Sequence, residues 1–503
     1  MRISCQTGGS GWRGASGGEG LEERACSELP ALVCYLAMAL RAVPNLERAL
    51  GFAAGQMRGE TGKFLRRMMC ELELGYRTCG AEVLEEMVGR WGGRCPEVER
   101  SLHLIRSSVE EGSLASRERT LSMALSAVLD GAVGRARDYA LRVHHSILLV
   151  YTLGVLLPLV LVVMVPVISS TGFGGPAVLF FACVLCPLMV WWLGCRALRG
   201  RPLLFEQVRI PLDPPGAGTV AAAAVIPLAF LAGAFVIPGD EGLPLALLLS
   251  AAVPASMVLR SVSSGPYRIW QESLRMEEEL PRYLVGVGNR MLEGRPAEEA
   301  ILHAAESSGD GPLRRVFTSV VSKVRFGGMS LRAALLGEGG AISSVHSGMV
   351  AGSLRALSDL VEMGAEAGGE ALLYISELVG RMREAGSEMR RMMGEMVGSM
   401  RSVGTVFAPM IAGVTASIFS WLSGSEALGM FGWAVLSPQV FVLSMGFYAV
   451  VLGAVLMWLA AEIEFGESLP PKVMSLASGM PVAALVFTVS FLLGSQFMGR
   501  IIG

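Results

Sequence analysis

Long apolar segments constrain this chain more than any other feature. Seven stretches approach or exceed the ~20 apolar residues that are needed to cross ~30 Å of hydrocarbon. Backbone groups in lipid must bond to one another, so each stretch is expected to be a helix. The composition agrees, because 17% of the residues are charged, against about 25% in soluble domains. The predicted spans lie at about 146–169, 174–195, 218–237, 242–259, 402–424, 434–461 and 480–499.

A second feature is a stretch that occurs twice, at residues 28–67 and, less closely, at 279–315. The gap-free match covers about 27 residues, and several landmarks in one order and spacing indicate a duplicated helical unit. The paired landmarks are Glu28-Leu29-Pro30 with Glu279-Leu280-Pro281, Glu47-Arg48-Ala49-Leu50 with Glu298-Glu299-Ala300-Ile301, Ala53-Ala54 with Ala304-Ala305 and, one gap later, Leu65-Arg66-Arg67 with Leu313-Arg314-Arg315.

The order of soluble and apolar stretches divides the chain into five parts. The soluble parts show apolar residues at helical spacing and no strand-like alternation. The start is rich in Gly and Ser and lacks the apolar core of a signal peptide, which is typical of a flexible tail. The predicted fold class is therefore all-α, a polytopic membrane protein with two repeated cytoplasmic helical-bundle modules. The predicted parts are a tail at 1–27, a first module at 28–145, four spans within 146–259, a second module at 260–401 and three spans within 402–503.

A long apolar stripe is predicted near the end of the second module. Apolar side chains step by three and four residues without a break over 372–400. If helical, this stripe is about 42 Å long at 1.5 Å per residue. It needs a covering surface, either another helix of this chain or another protein. We therefore expect Met389, Met393 and Met396 to bind a partner surface.

The distribution of Arg predicts which side of the membrane each part faces. The 196–217 connection carries four arginines, whereas the short connections at 170–173, 238–241 and 425–433 carry none. Positively charged connections stay in the cytoplasm, so the N-terminus and both soluble modules are expected there. Seven spans then put the C-terminus outside, with Arg500 as a mild exception.

The sequence shows no pattern for catalysis, cofactor binding or metal binding. Gly62-Lys63 resembles the end of a P-loop, but Met57 stands where the first glycine belongs and Phe64 replaces the hydroxyl residue that holds magnesium. The cysteines lack the paired CxxC units of a zinc ribbon, and neither HExxH nor GxSxG occurs. The formal charge of −2 gives no nucleic-acid signal. We expect a protein that is not an enzyme and needs no cofactor or metal.

Two basic clusters are candidates for a charged docking surface, and the sequence match gives them comparable positions. One interpretation is a solvated helix face. The other is an electrostatic docking patch for an acidic cytoplasmic protein. The residues are Arg66 and Arg67 in the first module, and Arg314, Arg315, Lys323 and Arg325 in the second.

This arrangement resembles the type II secretion system F domain family, the membrane platform of type II secretion, type IV pilus and archaellum machines. The resemblance rests on two helical modules that open with Glu-Leu-Pro and precede membrane helices, and on the stretch from Tyr139 to Pro158 at the entry to the first span. Four spans between the modules and three after them resemble the archaeal branch, whereas bacterial members resemble a three-span version. The resemblance covers residues 28 to about 425, and the remainder only by hydropathy.

The resemblance implies a non-enzymatic scaffold of the cell membrane. A cytoplasmic ATPase would dock on the soluble modules, and the platform would move pilin-like or archaellin-like subunits from the bilayer into a growing filament. A small homo-oligomer is also implied. Two alternatives stay open. A solute transporter would need a polar central pocket, a duplication that includes the spans and, if ion-coupled, intramembrane charges, which the interiors of the predicted spans lack. A membrane-bound enzyme comes third.

Overall fold

The computed structural model describes most of the chain, and every element in the described part is helical. The predicted all-α class is confirmed for these residues. They are 18–42, 44–57, 59–93, 95–156, 160, 181–198, 210–234, 242–307, 309–361, 364–423, 437–466 and 468–502.

The first soluble stretch forms six helices. The first begins at Gly18, so residues 18–27 are helical where a flexible tail was expected, while residues 1–17 lie outside the described part. Asn45 caps the second helix. Its side chain accepts a hydrogen bond of 2.9 Å from the Arg48 amide, which has no acceptor within the helix. The helices are α1 (Gly18–Ala42), α2 (Leu46–Gln56), α3 (Glu60–Glu73), α4 (Gly80–Trp91), α5 (Pro96–Glu110) and α6 (Leu114–Tyr151), followed by α7 (Cys186–Ala197) and α8 (Ala217–Ala234) in the apolar region.

The second soluble stretch also forms six helices. The first of them starts in the fourth predicted span and runs unbroken to Leu292, so no break marks the expected boundary at residue 260. A short 3₁₀ turn, Ala341–Ser344, precedes the fifth. The helices are α9 (Gly242–Leu292), α10 (Ala297–Ser307), α11 (Pro312–Arg325), α12 (Leu331–Leu336), α13 (Gly348–Val361) and α14 (Ala365–Ser402), followed by α15 (Ala408–Ser423), α16 (Pro438–Phe465) and α17 (Leu469–Ile502).

Helices of equal length recur at a nearly constant spacing along the chain. Both α2 and α10 have 11 residues and begin 251 positions apart, at Leu46 and Ala297. Both α6 and α14 have 38 residues and also begin 251 positions apart, at 114 and 365. Each of these long helices leads directly into a five-residue π-helical turn, Thr152–Leu156 in one case and Val403–Phe407 in the other. The recurrence of helix lengths therefore extends well beyond the stretch in which the amino-acid sequences match.

Four helices in the described part are long and apolar enough to cross a membrane, judged by length and composition. They overlap the fourth to seventh predicted spans, and two shorter apolar helices, Cys183–Ala197 and Ala217–Phe230, overlap the second and third. Half of the first predicted span lies outside the described residues. The structure thus indicates a membrane-embedded helical protein. The four helices are Gly242–Leu292, Ala365–Trp421, Pro438–Phe465 and Leu469–Met498.

The chain divides into two compact units. The first lies within Met1–Asp138 and Trp270–Arg390, and so contains the soluble helices. The second lies within Tyr139–Arg199, Arg209–Ile269 and Arg391–Gly503, and contains the apolar segments. Three helices, α6, α9 and α14, contribute residues to both units.

Amphipathic faces build the core of the first unit. On α1, Leu29, Leu32, Leu36 and Leu40 recur at steps of three and four and are all fully buried, as expected for the inner face of a helix. The two soluble stretches also contact each other, since the Arg355 guanidinium of α13 donates to the Gln56 side chain of α2 at 3.0 Å.

Candidate functional site

The glutamate of the first Glu-Leu-Pro motif caps a helix that lies far away in sequence. The Glu28 carboxylate accepts hydrogen bonds from the Glu60 amide at 3.3 Å and the Thr61 amide at 2.9 Å. These amides begin α3 and have no partner within it. The residue before the helix is Gly59, and a Cβ there would overlap the Glu28 carboxylate. A glycine at this position therefore lets the carboxylate approach the helix end, whose partial positive charge it complements.

The second Glu-Leu-Pro motif makes the corresponding contact. The Glu279 carboxylate accepts a hydrogen bond from the Leu313 amide at 3.2 Å, in the first turn of α11. The residue before that helix is again a glycine, Gly311, where a Cβ would overlap Glu279. The leucines that follow, Leu29 and Leu280, are fully buried. Each motif thus ties the first helix of its soluble stretch to the third.

The first basic cluster is largely engaged inside the protein. The Arg66 guanidinium donates to the carbonyl oxygen of Ala54 at 3.0 Å and also to that of Met57, so it satisfies the C-terminal end of α2. Arg67 is exposed and forms an ion pair of 3.1 Å with Glu71, four residues later on the same helix. Arg67, rather than Arg66, is the accessible charge of this pair.

The second basic cluster is more exposed. Arg315 forms an ion pair of 3.3 Å with Glu272, Arg314 pairs with Asp310, and the Lys323 ammonium donates to the Gly339 carbonyl. Arg325 is exposed, beside a cavity of about 220 Å³ between α10, α11 and α12. These side chains remain candidates for an external partner.

The two clusters do not occupy comparable positions in their helices, contrary to the sequence alignment. Both α3 and α11 have 14 residues, and their capped starts are Glu60 and Pro312. Arg66 and Arg67 are the seventh and eighth residues of α3, whereas Arg314 and Arg315 are the third and fourth of α11. The sequence alignment paired the two Leu-Arg-Arg triplets. The capping contacts instead pair the starts of α3 and α11, so the gap in the alignment belongs at a different position.

The methionine stripe of α14 is covered within the chain. Met389, Met393 and Met396 are 8%, 3% and 7% exposed, and Leu372 and Ile375 at the start of the stripe are fully buried. Of the two covering surfaces that the sequence left open, this burial favours the chain itself. The stripe offers no open face to a separate protein in this structure.

Both π-helical turns pack against α16 in the second unit. The Gly154 carbonyl, in the first turn, accepts a hydrogen bond from the Tyr448 hydroxyl. Gly404, in the second turn, lies so close to Gly453 that a Cβ on Gly453 would overlap the Gly404 carbonyl. Small residues let membrane helices approach closely, and π-helical turns are frequent at functional sites. Sequence periodicity gave no sign of these turns.

Two ion pairs lie at the end of α16. Arg401 pairs with Glu464, and Lys472 pairs with Glu462. Lys472 is 4% exposed, and its ammonium lies 5.7 Å from the centroid of the Trp458 ring, within the range of a cation–π contact. The predicted spans at 434–461 and 480–499 leave Lys472 in the connection between them, but α17 begins at Leu469 and includes it. A buried charge of this kind requires its partner, so the pair with Glu462 holds the start of α17 against the end of α16.

A groove of about 480 Å³ lies in the second unit. It lies between α9, α16 and α17, and its walls are apolar side chains such as Ala251, Ala255, Phe447 and Trp458. In the described part of the chain, no three His, Cys, Asp or Glu side chains are grouped so that they could hold a metal ion.

Comparisons with protein-family models, with characterised proteins and with solved structures find no match to this chain.

Proposed function

We propose that this chain is a non-enzymatic assembly platform of the cell membrane, which couples a cytoplasmic ATPase to the insertion of pilin-like subunits into a type IV filament or type II secretion-like machine. One observation carries the proposal. Two helices of 38 residues, α6 and α14, each continue from the soluble helices into a π-helical turn at the start of an apolar segment. At 1.5 Å per residue each is about 57 Å long.

The recurrence at 251 residues supports a duplication of the whole design, not of the soluble modules alone. In this proposal each copy has a soluble module followed by three spans, and the segment at 242–259 is an additional span that joins the copies. Three spans carry the chain across the membrane, and the additional span returns it. Both soluble modules would then face the same side, and the four arginines of the 196–217 connection favour the cytoplasm as that side.

The proposed mechanism is mechanical. An ATPase that moves a soluble module would displace the continuous helix attached to it, because a helix transmits force along its axis without a hinge. The π-helical turns, packed on α16 through Gly154 and Gly404, are the points where such a displacement would reach the membrane helices. Energy would come from the partner, since the chain has no complete P-loop.

A solute transporter is the second candidate, and one observation favours it. The helix recurrence reaches the membrane segments through the π-helical turns, and many transporters consist of repeated sets of spans. The lining of the large groove argues against it, because a polar solute needs convergent polar groups and this groove is walled by apolar side chains.

The proposal is tested by crosslinking in native membranes, followed by purification through an N-terminal tag and mass spectrometry. The expected result is a secretion-type ATPase crosslinked to residues within 28–145 or 260–401, and pilin-like proteins crosslinked beside the spans. Recovery of neither, at good yield of the tagged protein, would contradict it and would direct attention to solute flux.

A further inference from the structure

The groove between α9, α16 and α17 is long and narrow, and its lining is aliphatic and aromatic. Alanines on α9 and α16, such as Ala251, Ala255 and Ala454, leave the space that a larger side chain would fill. On α16 the lining runs from Phe447 to Trp458, which is about 16 Å along the helix. A volume of about 480 Å³ over that length gives a mean cross-section of about 30 Å², less than half of the ~80 Å² of a helix 10 Å across.

Contact among the three helices closes one end of the groove. At Gly446, next to Phe447, a Cβ would overlap the Leu248 side chain of α9 and would press against the Phe487 ring of α17. Phe487 is fully buried. Small residues of this kind let membrane helices meet closely. The groove therefore starts at this contact and extends only toward Trp458.

The other end of the groove has the features of a membrane surface. The rings of Trp191 and Trp458 have centroids 6.2 Å apart, and both residues lie near the ends of predicted spans, at 195 and 461. Tryptophan is enriched where hydrocarbon meets water, and the Lys472 ammonium lies 5.7 Å from the Trp458 ring. The groove thus opens at the membrane surface and ends about 16 Å below it, close to half of the ~30 Å hydrocarbon core.

Two arginines lie just beyond the open end. Arg196 follows Trp191 by five residues on α7, and its guanidinium lies 5.6 Å from the Trp192 ring. Arg260 follows Ala255 by five residues on α9. Each arginine is therefore about 7.5 Å further along its helix than a residue that lines the groove. Neither guanidinium forms an ion pair with any described residue. Basic sites between membrane helices bind anionic headgroups.

We propose that the groove binds one hydrocarbon chain of an anionic membrane lipid, and that the lipid phosphate binds Arg196 and Arg260. A chain that starts at the membrane surface and ends near the middle of the bilayer matches the open end, the closed end and the length of the groove. A membrane helix of another protein matches less well. It needs ~20 residues, or ~30 Å, to span the hydrocarbon, and it would run past the closed end at Gly446. This inference does not depend on the proposed function, since a platform and a transporter would each accommodate such a lipid.

The first test measures the lipid that stays with the full-length protein after purification in detergent. Surrounding lipid exchanges with detergent, whereas a lipid whose chain lies in the groove and whose phosphate pairs with two arginines should stay. Native mass spectrometry is expected to find about one lipid per chain, with anionic lipids enriched over their share of the source membrane. Protein without lipid, or with lipids in the proportions of the membrane, would overturn the inference.

Filling the groove should remove the lipid. Ala251→Phe and Ala255→Phe each place a large side chain in the groove, and the matched control is Ala224→Phe at an exposed alanine of α8. Loss of the contacts of two methylene groups weakens binding about ten-fold or more, so each groove variant should retain about ten-fold less lipid than the control. Size-exclusion chromatography checks that the variants are folded. Equal retention in folded groove variants and control would refute the site.

The headgroup contact is tested separately from the chain. A variant with Arg196→Gln and Arg260→Gln keeps the groove and removes both charges. The lipid that this variant retains should show no enrichment in anionic species. An unchanged preference for anionic lipid would contradict phosphate binding by these arginines.

A photocrosslinking amino acid in place of Phe447 identifies the occupant directly, with the groove unfilled. Phe447 lines the groove and is 54% exposed, and the control position is Leu493, an exposed residue of α17 outside the groove. After purification in detergent, an adduct with lipid is expected at position 447 and none at position 493. An adduct at 447 with another polypeptide or with a second copy of this chain would show that a protein occupies the groove. Such an adduct, or an adduct with detergent alone, would overturn the inference.

Discussion

At the scale of single residues, the glutamates of the two Glu-Leu-Pro motifs define the repeated design. Glu28 and Glu279 each reach about 30 residues along the chain to the first amides of the third helix. The glycines before those helices, Gly59 and Gly311, leave room for the carboxylates. A motif that is only a tripeptide in the sequence therefore holds two helices together in the fold.

Removal of either capping carboxylate should destabilise the first unit. Loss of a helix cap costs about 0.5–2 kcal/mol, so Glu28→Ala and Glu279→Ala are each expected to lower the free energy of unfolding by about 1 kcal/mol. Glu28→Gln should cost less, because an amide oxygen still accepts a hydrogen bond. Thermal unfolding in detergent measures the effect, with the exposed Glu306→Ala as control. A loss no greater than that of the control would show that the caps do not stabilise the fold.

Cysteine reactivity gives a second prediction for single residues. Cys34 is fully buried on α1, and burial raises the pKa of its thiol well above the usual range. Since the thiolate is the reactive form, Cys34 should stay unmodified by a maleimide at pH 8 in the folded protein. Cys79, which is half-buried and directly precedes α4, should react. Mass spectrometry of peptides from the native and the unfolded protein measures both. Equal modification of the two thiols in the folded state would contradict the burial of Cys34.

At the scale of elements, the long helix α14 was predicted from the sequence in part. Its stripe over 372–400 was predicted from steps of three and four, and its helical form and apolar burial are as expected. What covers the stripe was not predictable, because periodicity identifies a face but not its neighbour. The equal length of α6 and α14 was also hidden, since an amphipathic helix tolerates many substitutions and only its bounds recur.

A charge in the stripe should unfold the protein and not merely uncouple it. Met393 is 3% exposed, and an unpaired carboxylate in a buried site costs several kcal/mol. Met393→Asp is therefore expected to reduce the yield of folded protein, whereas Met393→Leu should cost less than about 1.5 kcal/mol. Size-exclusion chromatography and thermal unfolding measure the difference, with the exposed Glu395→Asp as control. A Met393→Asp variant as stable as the control would contradict this and would favour a separate protein as the cover of the stripe.

The basic clusters show why an alignment by residue identity can pair residues that are not structurally equivalent. Arg66 was grouped with Arg314 because both begin an Arg-Arg pair after leucine, yet Arg66 binds two carbonyl oxygens of α2 while Arg314 lies one turn nearer the start of its helix. The contact that aligns the two helices, a carboxylate at a glycine cap, leaves no local signal because its partners are far apart in sequence. The exposure of Tyr76 and Phe326 was missed for a related reason. An apolar residue in a sequence reads as core until the fold shows that nothing covers it.

At the scale of the whole molecule, the chain holds soluble helices in one unit and apolar helices in another, and three long helices contribute to both. Four of the seven predicted spans fall in helices that are long and apolar enough to cross a membrane, since the hydropathy of ~20 residues reflects bilayer thickness. The recurrence of helices at a spacing of 251 residues was visible in the sequence only where the two stretches at 28–67 and 279–315 match. It connects the proposed platform function with the proposed topology, because an additional span at 242–259 would place both soluble modules on one face of the membrane.

The side of the membrane that each soluble module faces can be measured by chemical labelling, and this tests the proposed topology most directly. The nine native cysteines are first replaced. Three variants then carry one cysteine each, through Arg100→Cys, Glu306→Cys or Ser425→Cys. Each variant is treated in intact cells with a membrane-impermeant maleimide. The platform topology predicts that only the cysteine at Ser425 is labelled, and that the cysteines at Arg100 and Glu306 react after the membrane is opened. Labelling of one module in intact cells and not the other would place the modules on opposite faces, as in transporters with inverted repeats, and would contradict an ATPase-driven platform.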